Sequence, residues 1–297
     1  MKVEIPKELK AAMPQTLWGR ILSATPVVMA VVSTMLAGLA SSEMTRAQYE
    51  RSLGAQQQSK AGDQWSFFQA KRLRGALQRN SVDLLQATTE LHPLDLSSFK
   101  NVAGLDLAAV EQFAKGEVPA MEGGPVLDPK IKAAIAAIEE LQTDDDVGAL
   151  LAKVDDKSIN DAVRSARDRT QKFDVLTKPV NQVIDVLEKH FAGESSSLKR
   201  DFIAARLRYT AARYETEARL NQGIANLFEL QVRKSNMAAT RHHARSKRFF
   251  FGMLAAQAGV IISTFAMAAS NRNLLWSLAA GAGIIAVGFA IYVYLCV

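Results

Sequence analysis

A chain of 297 residues with 48% hydrophobic residues, 7% aromatic residues and 8 prolines has material for one large core or two small ones, and its low aromatic content argues against a β-rich fold. The formal charge of +6 is unevenly placed: about 12 basic and 19 acidic residues stand between Asp95 and Ser196, so the remainder carries roughly +13. That excess adjoins apolar runs, which suits anionic lipid headgroups better than nucleic acid, and the single cysteine, Cys296, excludes an intrachain disulfide.

Taken in chain order, residues 1–20 form a short tail with Lys2, Lys7, Lys10 and Arg20. Residues 21–41 carry an apolar run that Pro26 dilutes and that is solid only from Val27 to Ala40. Two readings compete for it: a first transmembrane helix, or the apolar region of a signal peptide with small residues at Gly38-Leu39-Ala40. The distribution of charge favours the helix. Arg46, Arg51 and Lys60 follow this run, and Arg233, Lys234, Arg241, Arg245, Lys247 and Arg248 precede the next one. Together they outnumber the tail's four cations, so the positive-inside tendency places the central region in the cytoplasm.

Residues 42–94 read as a long helix, because no proline interrupts Glu43 to Leu91. Ala70, Leu73, Leu77, Asn80, Leu84, Ala87 and Leu91 follow one another at alternating steps of three and four, which defines a heptad seam on one face. Asn80 within it either fixes register against a partner or sits at a wet position. His92-Pro93 closes the helix. Residues 95–196 read as an acidic helical insertion. In it, Leu94 to Pro129 forms short helices and loops, Lys130 to Gln142 forms one helix, and Thr143 opens another. Further helices, punctuated by Pro179, run from Leu150 to Phe191. Asp144-Asp145-Asp146 resembles a calcium loop, but Gly148 takes the fifth ligand position, so a helix N-terminal cluster is the better reading.

Residues 197–248 form a second long helix, with Ser195, Ser196 and Ser197 as candidate caps and an apolar face through Phe202, Ala205, Tyr209, Ala212, Thr216, Leu220, Ile224 and Leu227. It ends in RHHARSKRFFF, where Arg241, Arg245, Lys247 and Arg248 meet lipid headgroups as three phenylalanines enter the acyl boundary. His242 and His243 are adjacent, about 100° apart on a helix, and cannot chelate one ion as an i, i+4 pair does, so solvation among the headgroups is expected of them. Residues 249–269 and 274–297 are each apolar and long enough to span a bilayer, and the short connection makes them a hairpin. Small residues recur four apart in both, as Gly252 with Ala256, Ala255 with Gly259, and Ala282 with Ala286 and Ala290. This spacing lets helix backbones approach closely.

The stretch Ser59-Lys60-Ala61-Gly62-Asp63-Gln64-Trp65-Ser66-Phe67-Phe68-Gln69-Ala70-Lys71 resembles the signature of a family of bacterial membrane proteins known as domain of unknown function 4337. That family has an Asp-Gln-Trp element and a following Gln-x-Lys just past a first span. The end of the chain is similar too, so the resemblance covers residues 26–91 and 201–297. It implies three spans and brings no activity: Asp63, Gln64, Trp65, Gln69 and Lys71 match the motif without an assigned chemistry. Trp65 and Phe68, three apart, are expected to pack between helices, and Asp63, eight residues from Lys71 and so unable to pair with it locally, is expected to contact a neighbouring helix.

The expected fold is all-α and multi-pass in a bacterial inner membrane: an antiparallel pair of long helices forms a stalk continuous with the spans, plus the insertion. No catalytic constellation, cofactor motif or metal-ligand spacing stands out. The expected function is a non-enzymatic membrane-anchored scaffold or interaction module, self-associating or binding a protein partner and not nucleic acid. An oligomeric channel or transport accessory is the alternative, disfavoured because the spans carry almost no ionisable residue.

Overall fold

In a computed structural model of the chain the described residues are 17–94, 106–121, 127–191, 196–269 and 272–296. The tail up to residue 16 and the cap expected at Ser195 lie outside them. Among the described residues there are seven α-helices and no strand: α1 (Leu17–Thr88), α2 (Leu107–Lys115), α3 (Pro129–Glu139), α4 (Asp144–Leu151), α5 (Asp156–His190), α6 (Ser196–Ala268) and α7 (Arg272–Cys296). Three of them, α1, α6 and α7, contain stretches long and apolar enough to cross a membrane.

Local sequence chemistry sets the short helices. Asp106, Asp128, Thr143 and Asp155 stand at the N-caps of α2, α3, α4 and α5 and each accepts a backbone N–H of the first turn. Pro129 occupies the first turn of α3, where no N–H is missed. Asp144, Asp145 and Asp146 all lie in the first turn of α4, where their charge meets the positive helix end. At the far end of α2, Gly116 adopts φ 70°, and its N–H and that of Glu117 close the last turn on Phe113 and Gln112. Only glycine enters this conformation without strain.

Pro179 does not break α5, against the expectation from sequence; the helix runs unbroken for 35 residues. The N–H that proline lacks would have bonded to Val175, which is exposed, so the loss falls on the solvent side of the helix. Pro26 also lies inside α1, which begins at Leu17.

The chain divides into two compact units, Met1–Leu53 with Ser235–Val297, and Gly54–Lys234. In the second, α2, α5 and α6 enclose a core of Val110, Phe113, Val180, Leu187, Phe191, Phe202 and Tyr209. The Phe113 ring stands 5.6 Å from Phe202 and 6.3 Å from Tyr209, and Phe191 lies 5.1 Å from Phe202. Each such ring, fully buried, stabilises the cluster by about 1.5–3 kcal/mol. In the first unit Leu36, Ala40, Phe249, Ala256, Ala286 and Val293 form the core.

The burial pattern of α1 has a strict rhythm. From Met29 to Thr89, positions 29, 33, 36, 40, 43, 47, 50, 54, 57, 61, 64, 68, 71, 75, 78, 82, 85 and 89 are buried or half-buried, at alternating steps of four and three. Small residues dominate every seventh place: Ala40, Ala47, Gly54, Ala61 and Gly75. On α6 the corresponding column is Ala204, Ala211, Ala218, Ala225, Val232, Ala239 and Ser246, all buried. A Cβ added to Gly75 would stand 3.5 Å from the Ala211 carbonyl oxygen and 3.5 Å from the Tyr214 Cβ, so backbones come close at this point.

Candidate functional site

In Gly54–Lys234, the rhythm of α1 sorts the family-motif residues into two groups. Gln64, Trp65, Phe68 and Lys71 are half-buried on the packed side, while Asp63 and Gln69 are exposed. Trp65 meets Phe68 edge-on, with ring centroids 5.5 Å apart at 81°, and the Arg72 guanidinium lies 5.9 Å from the Phe68 ring. Lys71 reaches α6, whereas Asp63, of which a contact to a neighbouring helix was expected, is exposed. Its Nζ forms an ion pair with the carboxylate of Glu217 and sits 5.1 Å from the Tyr214 ring.

Glu217 is 7% exposed and was not singled out by sequence reasoning, yet it organises this layer. Its second partner is Arg213, Nε to Oε1 3.1 Å, and Arg213 in turn donates from Nη1 to Asn181 Oδ1 of α5 at 2.7 Å. One carboxylate thus ties α1 to α6 and, through Arg213, to α5. The legible signal was the i, i+4 pair Arg213 and Glu217, with Glu217 next to a column alanine.

A groove of about 480 Å³ opens beside this layer, lined by Phe68, Arg72, Gly75, Ala76, Arg79, Glu215, Ala218, Arg219 and Gln222. Arg79 pairs with Glu215, and Arg219 donates to the same carboxylate at 2.5 Å. With Arg72 as a third cation the lining is net positive.

The leucine seam occupies a different stripe of α1. Leu73, Leu77 and Leu84 are 63%, 53% and 66% exposed, and Ala70, Asn80 and Ala87 are exposed with them. The face that packs within the chain is the small-residue column instead, so the seam from Ala70 to Ala87 is left uncovered by the described residues, while Leu91 lies beyond the end of α1 and is half-buried.

The acidic helix starts of this unit lean on the basic side of α6. Arg233 pairs with Asp144 at 3.0 Å, and Lys234 pairs with Asp156 at 2.7 Å while donating to the Val154 carbonyl. The backbone N–H of Ser158, then its hydroxyl, hold the Asp155 carboxyl below its ordinary range. Lys115 lowers the Glu111 carboxyl by a hydrogen bond and by its charge, and is itself raised by that carboxylate. Tyr209 behaves in the opposite sense: burial pushes its phenol up to about 12, and among the described residues its hydroxyl has no hydrogen-bond partner. Among the described residues no three His, Cys, Asp or Glu side chains converge to hold a metal ion.

In the other unit, His242 Nδ1 lies 2.6 Å from Glu43 Oε2, a buried carboxylate that Arg46 also approaches at 3.4 Å. His242 is therefore paired with a side chain of α1, whereas solvation among headgroups was expected of it; His243 is exposed. Ser246 donates to the Ala40 carbonyl at 2.7 Å. Of the four basic residues assigned to headgroups, Arg241 and Lys247 are exposed and Arg245 and Arg248 are half-buried. The Arg248 guanidinium stands 5.1 Å from the Tyr292 ring and the Lys247 ammonium 6.0 Å from the Phe251 ring.

The small residues of the apolar helices meet one another. A Cβ on Gly252 would lie 3.3 Å from the Ala286 carbonyl oxygen, from Leu36 Cδ1 and from Phe289 Cβ, and one on Gly259 would meet Met29, Ala279 and Ala282. Trp276 Nε1 donates to Thr25 Oγ1 at 3.2 Å.

No curated protein and no solved structure matches the chain. The sequence resemblance drawn for residues 201–297 is not part of the match to a family model, which runs over α1 and the start of α2. Residues 18–111 match the model of the family described as Domain of unknown function (DUF4337), the family that the Asp63–Lys71 stretch resembles.

Proposed function

We propose that the protein is a membrane-anchored helical scaffold, with three spans, that presents its acidic insertion and long helices to other protein chains. The observation that carries this reading is the exposure of the apolar helices: only 22%, 33% and 11% of their most apolar windows is buried inside the chain. Val27, Val31, Met35, Phe265, Ile284 and Ile291 are each more than half exposed. A patch of that extent is foreign to a water-facing surface and fits lipid tails.

Charge supports the orientation. Lys247, Arg248 and Tyr292 gather at one end of the apolar bundle, the arrangement expected at a headgroup layer facing the cytoplasm, with anionic lipid as the counter-charge. We read the central region as cytoplasmic, the membrane as a bacterial inner membrane, and the protein as non-enzymatic. The contact pairs Lys71 with Glu217, Gly75 with Ala211 and His92 with Asp201, whose second members fall in number as the first rise, support an antiparallel pairing of the two long helices, wound as a coiled coil by their period of 3.5.

Crosslinking in native membranes tests the reading. It is expected to trap a defined complex through residues 54–234, with accessibility reporters at residue 150 on the cytoplasmic side. A chain that stays monomeric and partnerless, or a residue 150 that reports outside the cell, discards it.

A further inference from the structure

Beside the face that packs on α6, α1 has a second apolar face that the described residues leave exposed. Leu73, Leu77 and Leu84 are 63%, 53% and 66% exposed, and they fall on a heptad stripe with exposed Ala70, Asn80 and Ala87. Scattered exposed leucines are ordinary on a protein surface; three on one straight stripe, interrupted only by small residues and one amide, are not. We propose that this stripe is the contact by which a second copy of the chain docks, in parallel and in register, to form a homodimer. The proposal rests on the membrane-anchored reading.

Three observations select a second copy in that orientation. First, the inner face of α1 keeps a period of 3.5 residues from Met29 to Thr89. A helix wound to that period keeps any other heptad stripe straight as well, so an outer partner can follow it without drifting off. Second, parallel and in-register pairing sets each leucine against its own counterpart and Asn80 against Asn80, where the amides satisfy each other. Reversal sets Asn80 against Leu77 or Leu84 and leaves a polar group against an apolar one. Third, the flanks are compatible. In the parallel register Gln69 comes beside Arg74 of the other copy and Asp83 beside Thr88, so no like charges meet.

The seam is short, about 27 Å from Ala70 to Ala87 at 1.5 Å per residue. Anchoring compensates for this, because copies held in one bilayer share one orientation and meet at a high effective concentration.

The test uses the full chain in lipid vesicles, with Cys296→Ser removing the only native thiol. Single cysteines are introduced as Leu77→Cys, Asn80→Cys or Leu84→Cys on the stripe, and as Gln86→Cys off it, and the vesicles are treated with copper phenanthroline. Covalent dimers are expected from the three stripe positions and not from position 86. Equal crosslinking at position 86, monomer throughout, or a mixed product between Leu73→Cys and Leu84→Cys chains, the mark of an antiparallel pair, overturns the proposal. Because the three leucines are exposed, the triple variant Leu73→Lys, Leu77→Lys, Leu84→Lys is expected to fold, to keep the helicity of the parent and to lose the dimer. If that variant retains the parent's complexes in native membranes, the stripe is not the interface but the scaffold reading stands. If the unsubstituted chain forms no complex at all, the scaffold reading falls with it.

Discussion

Replacing Tyr209 with phenylalanine removes one oxygen from the centre of the α2, α5 and α6 core and leaves the ring contacts in place. The residue is 0% exposed, packs 6.3 Å from Phe113, and has no partner for its hydroxyl among the described residues. A buried hydroxyl with no hydrogen bond costs about 1–3 kcal/mol, so Tyr209→Phe is expected to stabilise the chain by about 1 kcal/mol near neutral pH, a rise of about 2–4 °C in Tm.

A second effect depends on pH. The folded phenol holds its proton up to about 12, whereas an unperturbed tyrosine releases it near 10. Between these values the folded state binds more protons than the unfolded one, so stability falls as pH rises from about 10 and the loss is complete above about 12. Two pKa units correspond to on the order of 2–3 kcal/mol. The variant lacks this loss, and its advantage over the parent must widen through the alkaline window. Thermal unfolding of the full chain in detergent, followed by far-UV circular dichroism at pH 7, 9 and 11, measures both effects, and a difference titration of tyrosinate absorbance reads the Tyr209 pKa directly. A pH-independent gap, or a variant less stable than the parent at pH 7, would refute the assignment of an unpartnered, desolvated hydroxyl.

Glu217→Gln is expected to cost about 2 kcal/mol, below the 3–5 kcal/mol of a fully buried pair, because its partners Lys71 and Arg213 keep 28% and 23% of their side chains exposed; an unchanged unfolding midpoint would remove Glu217 from the centre of the layer. Gly75→Ala should stabilise by about 0.5–1 kcal/mol through helix propensity, since the added methyl meets its neighbours at ordinary contact distance, whereas Gly75→Leu should destabilise by about 1–3 kcal/mol; a destabilised alanine variant contradicts this spacing. Gly252→Leu places its Cβ 3.3 Å from three neighbours at once, one of them backbone, and is expected to weaken the α6 and α7 hairpin by about 1–3 kcal/mol, read as earlier loss of helicity in a graded sodium dodecyl sulfate titration.

Much of the architecture was legible because composition marks it directly. The uncharged runs after Phe249 and Leu274 and the start signal at Thr143 each state a physical constraint that holds in any context, whereas the helix expected to run to Leu91 ends at Thr88, before His92-Pro93. Pro179 was misleading for an equally physical reason: proline costs a helix least where the carbonyl it abandons lies on the solvent side, and sequence alone does not say which side that is. The Lys71–Glu217–Arg213 layer was half legible. The spacing of eight excludes a local pair between Asp63 and Lys71, but it does not say which of the two turns inward: Asp63 is exposed and Lys71 meets Glu217.

The leucine stripe was read from sequence as the seam because hydrophobicity grows with side-chain size, and the largest apolar residues of residues 61–91 are Trp65, Phe67, Phe68, Leu73, Leu77, Leu84, Leu85 and Leu91. Close packing of two long helices selects for small residues instead. Ala61 and Gly75 on α1, and Ala204, Ala211, Ala218 and Ala225 on α6, bury little area each, yet all are buried. Their neighbours on the same face, Gln64, Lys71 and Gln78, are polar, which further lowers the apparent hydrophobicity of the side that packs. The signal was a spacing of seven among alanines and glycines in both helices, and it says something different from a spacing of seven among leucines. Small residues in register let two segments of one chain approach closely and then hold by polar cross-ties such as Lys71 to Glu217. Large ones in register need a partner that brings leucines of its own, and within α1 the only segment that supplies that pattern in matching register is the same stretch in another copy.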